Sequence, residues 1–206
     1  MPNPLTCHLA LIVAHPSSGT RLLGNLLESH PRIRHIFEPS QRVGILLESV
    51  KYLRNEMALA KGRGELSVVN LKYAHIDDKL AGWICADCIP VIHLVRQNLS
   101  ELTASEILRN GGARGKKLRI TRKYFESERL RIRRELQKYS AIVNAWPSLL
   151  TLYYEEMAGN PAMQVEGLEG KVGKRLLRFL GLEEKNLMTY TIKEHGSLEE
   201  KLEIVG

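Results

Sequence analysis

Apolar positions along this chain fall into two rhythms. Five runs rich in β-branched and aliphatic residues have strand length: HLALIVA at 8–14, IRHIF at 33–37, LSVVNLKY at 66–73, IPVIHLV at 89–95 and LLTLYY at 149–154. The first has no polar residue after His8, which predicts a strand buried on both faces. Between the runs, apolar residues return at helical spacing. Leu22, Leu23, Leu26 and Leu27 mark a first helix. Ile45, Leu46, Val50, Leu53, Met57 and Leu59 mark an amphipathic helix over 43–60, closed by Gly62 and Gly64. A short helix capped by Asp77 is predicted over 77–86, followed by helices over 99–109, about 126–145 and 172–180, the last ending at Gly181.

His30-Pro31, Pro147 and Asn160-Pro161 punctuate these elements, and 111–117 reads as a basic, glycine-rich loop. The polar tail over 183–206 has room for a short helix at 198–204. Strands alternating with helices predict an α/β fold, a three-layer sandwich around a mostly parallel, about five-stranded central sheet. No internal repeat, low-complexity tract or linker divides the 206 residues, so 1–206 is expected to form a single domain. Ligands of such sheets sit at the carboxyl ends of the strands, where Pro16, Glu38, Tyr73, Arg96 and Tyr154 emerge.

The first strand feeds the most informative stretch, His15-Pro16-Ser17-Ser18-Gly19-Thr20-Arg21-Leu22-Leu23. A strand, a turn of small residues and a helix make an anion cradle, because the N–H groups of the turn and of the helix's first turn converge where the dipole favours negative charge. Gly19 allows close backbone approach, and Ser17, Ser18 and Thr20 offer hydroxyl donors. The nucleoside-triphosphatase signature G-x-x-x-x-G-K-[ST] is absent, and no lysine occurs before Lys51.

Composition adds a bias. Lys and Arg number 30 against 23 Asp and Glu, a net charge of +7 that suits anionic ligands without choosing among them. The apolar run after His8 is far shorter than the roughly 20 residues that span a bilayer, and with no signal peptide a soluble, cytoplasmic protein without membrane partners is expected. Cys7, Cys85 and Cys88 are an odd number, which disfavours a disulfide framework. Cys85-Ala-Asp-Cys88 is half of a zinc or redox motif, and its simpler reading is two small residues packed beside Trp83. The basic segment 129–138 is interleaved with Glu126, Glu128 and Glu135 and has almost no aromatics, so it reads as a solvated face and no nucleic-acid partner is expected. Part of it, or the loop at 114–117, is an alternative recognition element for an anionic acceptor or a nucleotide phosphate.

The stretch from His15 to Leu23 resembles the P-[KR]-S-G-T-x-x-L loop of sulfotransferases, which grips the 5′-phosphosulfate of 3′-phosphoadenosine 5′-phosphosulfate (PAPS). Further segments match that family in order. Ile92-His93-Leu94-Val95-Arg96 resembles its strand ending in an arginine, followed by a helix carrying a serine, here Ser105 nine residues on. By this resemblance Arg96 and Ser105 bind the 3′-phosphate, with Ser100 or Thr103 as substitutes for the serine. A guanidinium fork suits that phosphate. Tyr153-Tyr154-Glu155, Asn160-Pro161 and Phe179-Leu180-Gly181-Leu182 resemble the family's closing segment, which is largely architectural.

The resemblance implies a PAPS-dependent enzyme that moves a sulfuryl group to a hydroxyl or amine of a small-molecule or carbohydrate acceptor and releases adenosine 3′,5′-bisphosphate (PAP), without a metal. Pro16, Ser17, Ser18, Gly19, Thr20, Arg21, Arg96 and Ser105 are then the donor-binding residues. Transfer needs a base for the acceptor's proton. Glu38, after the second strand, resembles an acidic residue some carbohydrate and bacterial members carry there, and is favoured. His75 resembles the histidine that cytosolic members keep after the third strand, and Lys72 resembles a lysine that places acceptor or sulfonate. Ser17 is the departure: the family has Lys or Arg there, so Arg21, four residues on, would have to swing back to cover the missing charge, with His15 not the favoured contributor. Two other readings stay open, a small kinase-like phosphotransferase and a degenerate member that binds an anion without catalysis.

Overall fold

The apolar run after His8 becomes β1 (Leu9–Ala14), the middle strand of the sheet, with no residue more than 1% exposed. The computed structural model describes residues 7–37, 49–111, 117–158, 171–185, 187 and 201–205. In these, β2 (Ile33–Ile36), β3 (Leu66–Lys72), β4 (Val91–Val95) and β6 (Leu149–Tyr153) complete a five-stranded sheet of order β2-β3-β1-β4-β6. All four pairings are parallel, with Ala14 opposite both Lys72 and Leu94, and Val95 opposite Tyr153. The predicted α/β architecture is therefore present.

Both faces of the sheet are covered, as a parallel sheet requires. Ala10, Ile12 and Ala14 pack with Leu23, Leu26 and Leu27 of α1 (Thr20–Glu28) and Leu176, Leu177 and Leu180 of α7 (Lys171–Leu180). Leu9, Leu11 and Val13 face the other way, onto Leu53 of α2 (Ser49–Arg63), Leu80, Trp83 and Ile84 of α3 (Asp78–Ala86) and Val143 of α5 (Arg122–Val143). The period-two split of one strand between two clusters makes the three layers. Each such buried Leu or Ile side chain stabilises by about 1.5–3 kcal/mol. The remaining helices are α4 (Leu99–Asn110), capped by Asn98, and the short α6 (Tyr154–Ala158).

Several elements differ from the sequence expectation. Leu118–Thr121, expected as loop, is β5, and Leu202–Val205, expected within a short helix, is β7; the two pair in parallel as a second, two-stranded sheet. The reason is tertiary: Leu202 fits beside Ala104, Ile107 and Phe125, with Leu118 and Ile120 against the same cluster. α5 starts at Arg122 rather than near 126 because the Thr121 hydroxyl caps it, accepting from the Tyr124 N–H at 3.2 Å. Tyr154 opens α6 instead of ending the last strand of the main sheet. Gly62 lies inside α2, and Gly64 alone follows its end. Asp77 caps α3 and Gly181 follows α7, as expected. The first part of the helix predicted over 43–60, the 112–116 part of the glycine-rich loop and the Asn160-Pro161 turn lie outside the described residues.

Candidate functional site

Parallel pairing brings every strand's carboxyl end to one edge, so the sheet order decides which residues meet. The loop after β1 lies between the ends of β3 (Lys72 and the 3-10 turn Tyr73–His75) and β4 (Arg96), with Tyr154 and Glu155 beyond β4. From β1 the chain leaves toward β2, and from β4 toward β6, so the crevice between β1 and β4 is the switch point where ligands of such sheets bind.

The loop holds an unusual backbone. Ser17 has φ 65 and Gly19 φ 91, both left-handed, and the Ser18 N–H closes the turn onto the His15 carbonyl at 3.3 Å. A left-handed serine costs about 1–2 kcal/mol, a strain found where backbone is held for a purpose. A Cβ at Gly19 would collide with the Tyr154 ring, which lies directly against it. Among the described residues, no protein acceptor engages the N–H groups of Ser17, Gly19, Thr20 or Arg21. The Ser18 hydroxyl is buried and has no partner.

Arg96 is 7% exposed and reaches back to this loop. Its Nη1 donates to the Ser17 carbonyl and to Ser105 Oγ, each at 3.2 Å, and its Nη2 to Glu101 Oε2 at 2.6 Å. Its guanidinium stands 4.6 Å from the centroid of the Tyr154 ring, and its buried Nε has no partner. The structure thus brings Ser105 to Arg96. Thr103 is fully buried with its hydroxyl bonded to the Leu99 carbonyl, which removes it as a substitute.

Glu155 fixes the turn that carries Arg96. Its carboxylate accepts from the Gln97 and Asn98 N–H groups at 3.0 Å. Burial pushes this carboxyl up, but those N–H groups and the Arg96 charge more than offset it and leave it below the usual carboxylate range. The Tyr-Glu pair of the closing segment is therefore part of the site, Tyr154 walling the loop and Glu155 holding the turn.

Four contributors escaped the sequence reading: Glu101, Glu106, the Tyr154 ring and the anchoring of His15. Glu106 is 4% exposed and accepts from the Ser17 hydroxyl at 3.2 Å and from Arg109 at 2.5 Å. Burial pushes its carboxyl up, yet Arg109, with help from His15 and Ser17, brings it below the ordinary range. Its signal was a charge at an apolar position of α4, in the stripe of Leu102, Thr103 and Ile107. Glu101 was legible as the third helical residue after the Asn98 cap.

On the opposite side of the loop, the Lys72 N–H donates to His75 Nδ1 at 3.2 Å. That contact places the proton of a neutral His75 on Nε2. Arg21 stacks on Phe37, 4.9 Å from the ring centroid, at the end of β2. Glu38 lies outside the described residues. Cys85 and Cys88 are exposed at the end of α3 rather than packed beside Trp83. Among the described residues no group of His, Cys, Asp and Glu has the makings of a metal site, and no helix is long and apolar enough to cross a membrane. Arg129 and Arg131 of α5 pair with Glu126, Glu128 and Glu135, as the interleaved charges suggested, but the face is not wholly solvated, because Glu135 also reaches the buried His15.

No protein-family model matches the sequence, and no curated protein matches it. Solved structures do. A sulfotransferase from Alicyclobacillus acidocaldarius superposes with a TM-score of 0.57 at 17% identity, over 94% of this chain and 88% of that one. A sulfotransferase domain from the curacin biosynthetic pathway gives 0.53 at 15% identity, over 96% and 83%. A mouse sulfotransferase complexed with PAP gives 0.51 at 17%, over 84% of this chain and 58% of that one. The fold is that of the sulfotransferases.

On this fold the residues present suit a phosphate-bearing ligand. Two buried polar atoms without protein partners, Ser18 Oγ and Arg96 Nε, border the loop, and the N–H groups of Ser17, Gly19, Thr20 and Arg21 meet no protein acceptor among the described residues.

Proposed function

We propose that the protein is a PAPS-dependent sulfotransferase acting on a hydroxyl or amine of a small-molecule or carbohydrate acceptor. The observation that carries this reading is the meeting of the Pro16–Arg21 loop with Arg96 and Ser105, including the two partnerless polar atoms, on the sulfotransferase fold. Pro16, Ser17, Ser18, Gly19, Thr20 and Arg21 would hold the 5′ end of the donor, and Arg96 with Ser105 its 3′-phosphate. PAPS supplies an activated sulfuryl group, whose transfer to the acceptor's oxygen or nitrogen leaves PAP.

The chain's part is to hold and orient. N–H groups and the Arg96 guanidinium offset phosphate charge, and a base takes the acceptor's proton. Glu38 and His75 remain the two candidates for that base. His75 presents a proton on Nε2 in its neutral form, which suits donation better than abstraction and supports Glu38. Lys72, at the end of β3, would meet acceptor or sulfonate. A cytoplasmic setting, with no nucleic-acid or membrane partner, belongs to the same proposal.

Calorimetry with PAP, 5′-AMP and ATP tests it. Tight PAP binding that depends on the 3′-phosphate is expected, whereas equal affinity for PAP and 5′-AMP would overturn the donor assignment. The Ser17–Glu106 contact favours one second reading, a member that binds PAP without transfer. PAP binding with no sulfate transfer across a broad acceptor panel would decide for it.

A further inference from the structure

His15 ends β1 and opens the loop, and it is 1% exposed. Its Nδ1 lies 2.7 Å from the Pro16 carbonyl oxygen and its Nε2 lies 3.2 Å from Glu135 Oε2. A carbonyl oxygen and an ionised carboxylate only accept hydrogen bonds, and a neutral imidazole has a single N–H. Both contacts are hydrogen bonds when both ring nitrogens carry protons.

We infer that Glu135 and the Pro16 carbonyl hold His15 as an imidazolium, and that this buried cation charges the donor loop in place of the basic side chain missing at Ser17. The inference rests on the reading of this loop as the phosphate site.

The surrounding charges make that proton matter. Arg96, in the turn after β4, is paired with Glu101 of α4, and on α4 Arg109 is paired with Glu106. On α5, Arg131 pairs with Glu135 at 2.8 Å and with Glu128 at 2.9 Å. From the turn after β3, Tyr73 presents its ring edge-on at 6.3 Å, with its hydroxyl engaged by His93. Three arginines thus face four carboxylates in these pairs, and a proton on His15 offsets the one carboxylate left over, which would otherwise oppose an incoming anion. It has a second effect. The Pro16–Ser17 peptide is trans, so a carbonyl drawn to the imidazole turns the Ser17 N–H the opposite way. His15 acts through the loop and is a positioning residue.

The test combines the charge state with two variants. Nitrogen-15 spectra of the ligand-free protein should show both His15 ring nitrogens protonated at near-neutral pH. In Glu135→Gln, the new amide can donate to Nε2, which lets His15 stay in place as a neutral ring. Glu135 is 40% exposed, so this variant should fold even if His15→Gln does not. Both variants should bind PAP, and inorganic pyrophosphate as a second probe, roughly ten-fold more weakly. A singly protonated His15 at the pH where wild type binds, or variants that match wild type on the anion it binds, would overturn the inference. Wild type that binds pyrophosphate but not PAP would sink the donor assignment, and the variants would still decide the role of His15.

Discussion

The two flanks of the loop are built differently. Toward β4 and β6, Arg96 is held by Ser17, Ser105, Glu101 and the Tyr154 ring, and Glu155 pins the turn beneath it. Toward β3, Lys72 and His75 share one backbone contact at the end of the strand, and both stay half-buried. On the proposed function, the first flank would receive the donor's phosphate, and the second would face the acceptor. A donor common to many reactions rewards preorganisation, because ordering costs are met once, in folding.

Removing Arg96 should produce the largest effect. Arg96→Ala takes away a charge-assisted phosphate contact and leaves Glu101 beside the ligand, so PAP affinity should fall about a hundred-fold, in line with roughly 1.5–3 kcal/mol per charged hydrogen bond. 5′-AMP should weaken far less. Equal losses for both nucleotides in calorimetry would mean that the β4 flank is not the 3′-phosphate receptor. Gly19→Ala probes the same flank through sterics. A methyl group there meets the Tyr154 ring and the residue keeps φ 91, so about 1–3 kcal/mol of stability should be lost along with PAP binding. Adding Tyr154→Ala should recover the steric part and not the backbone part, as denaturant midpoints of the single and double variants would show.

What was legible in the sequence on either flank follows from where the determinants lie. The loop, Arg96 and Lys72 sit at strand ends, and a strand's apolar run marks its own end. β1 could be placed from composition because a strand buried on both faces leaves no polar residue in its register. Contacts that tie distant segments left no such mark. Glu135 meets His15 across 120 residues and Glu155 meets Asn98 across 57, and no local spacing encodes either pair. β5 and β7 failed for the same reason, since each is a short strand that exists through its partner.

A buried link between the flanks sets the next expected effect. Tyr73, at the start of the turn that carries His75, places its hydroxyl 2.6 Å from Nε2 of His93 on β4, and Tyr139 stacks on the Tyr73 ring. His93 is 1% exposed, and burial lowers its pKa from the ordinary 6.5 to about 4. The folded state thus keeps His93 neutral while the unfolded chain takes up a proton below the ordinary value. His93 then destabilises the fold as pH falls from about 6.5 to about 4, by an amount on the order of 3 kcal/mol at the bottom of that window. Thermal midpoints across the window should fall in wild type and stay flatter in His93→Gln. If both proteins lose stability in parallel, the acid sensitivity lies elsewhere and the link between the flanks is weaker than its burial implies.

The smallest expected effect has the opposite sign to the first. Glu101 holds Arg96 at 2.6 Å from a carboxylate that is 43% exposed, so an incoming phosphate meets a guanidinium already neutralised. Much of that pairing energy is screened by water at such exposure. Glu101→Gln removes the competing charge, keeps a side-chain oxygen for Nη2, and should tighten PAP binding by a few-fold, with the gain greatest at low salt. That outcome would show that the β4 flank is held ready by a contact the ligand displaces. A weaker affinity in the variant would mean that Glu101 orients Arg96 for the phosphate, and the receptor would then be preorganised by an acidic residue it keeps rather than releases.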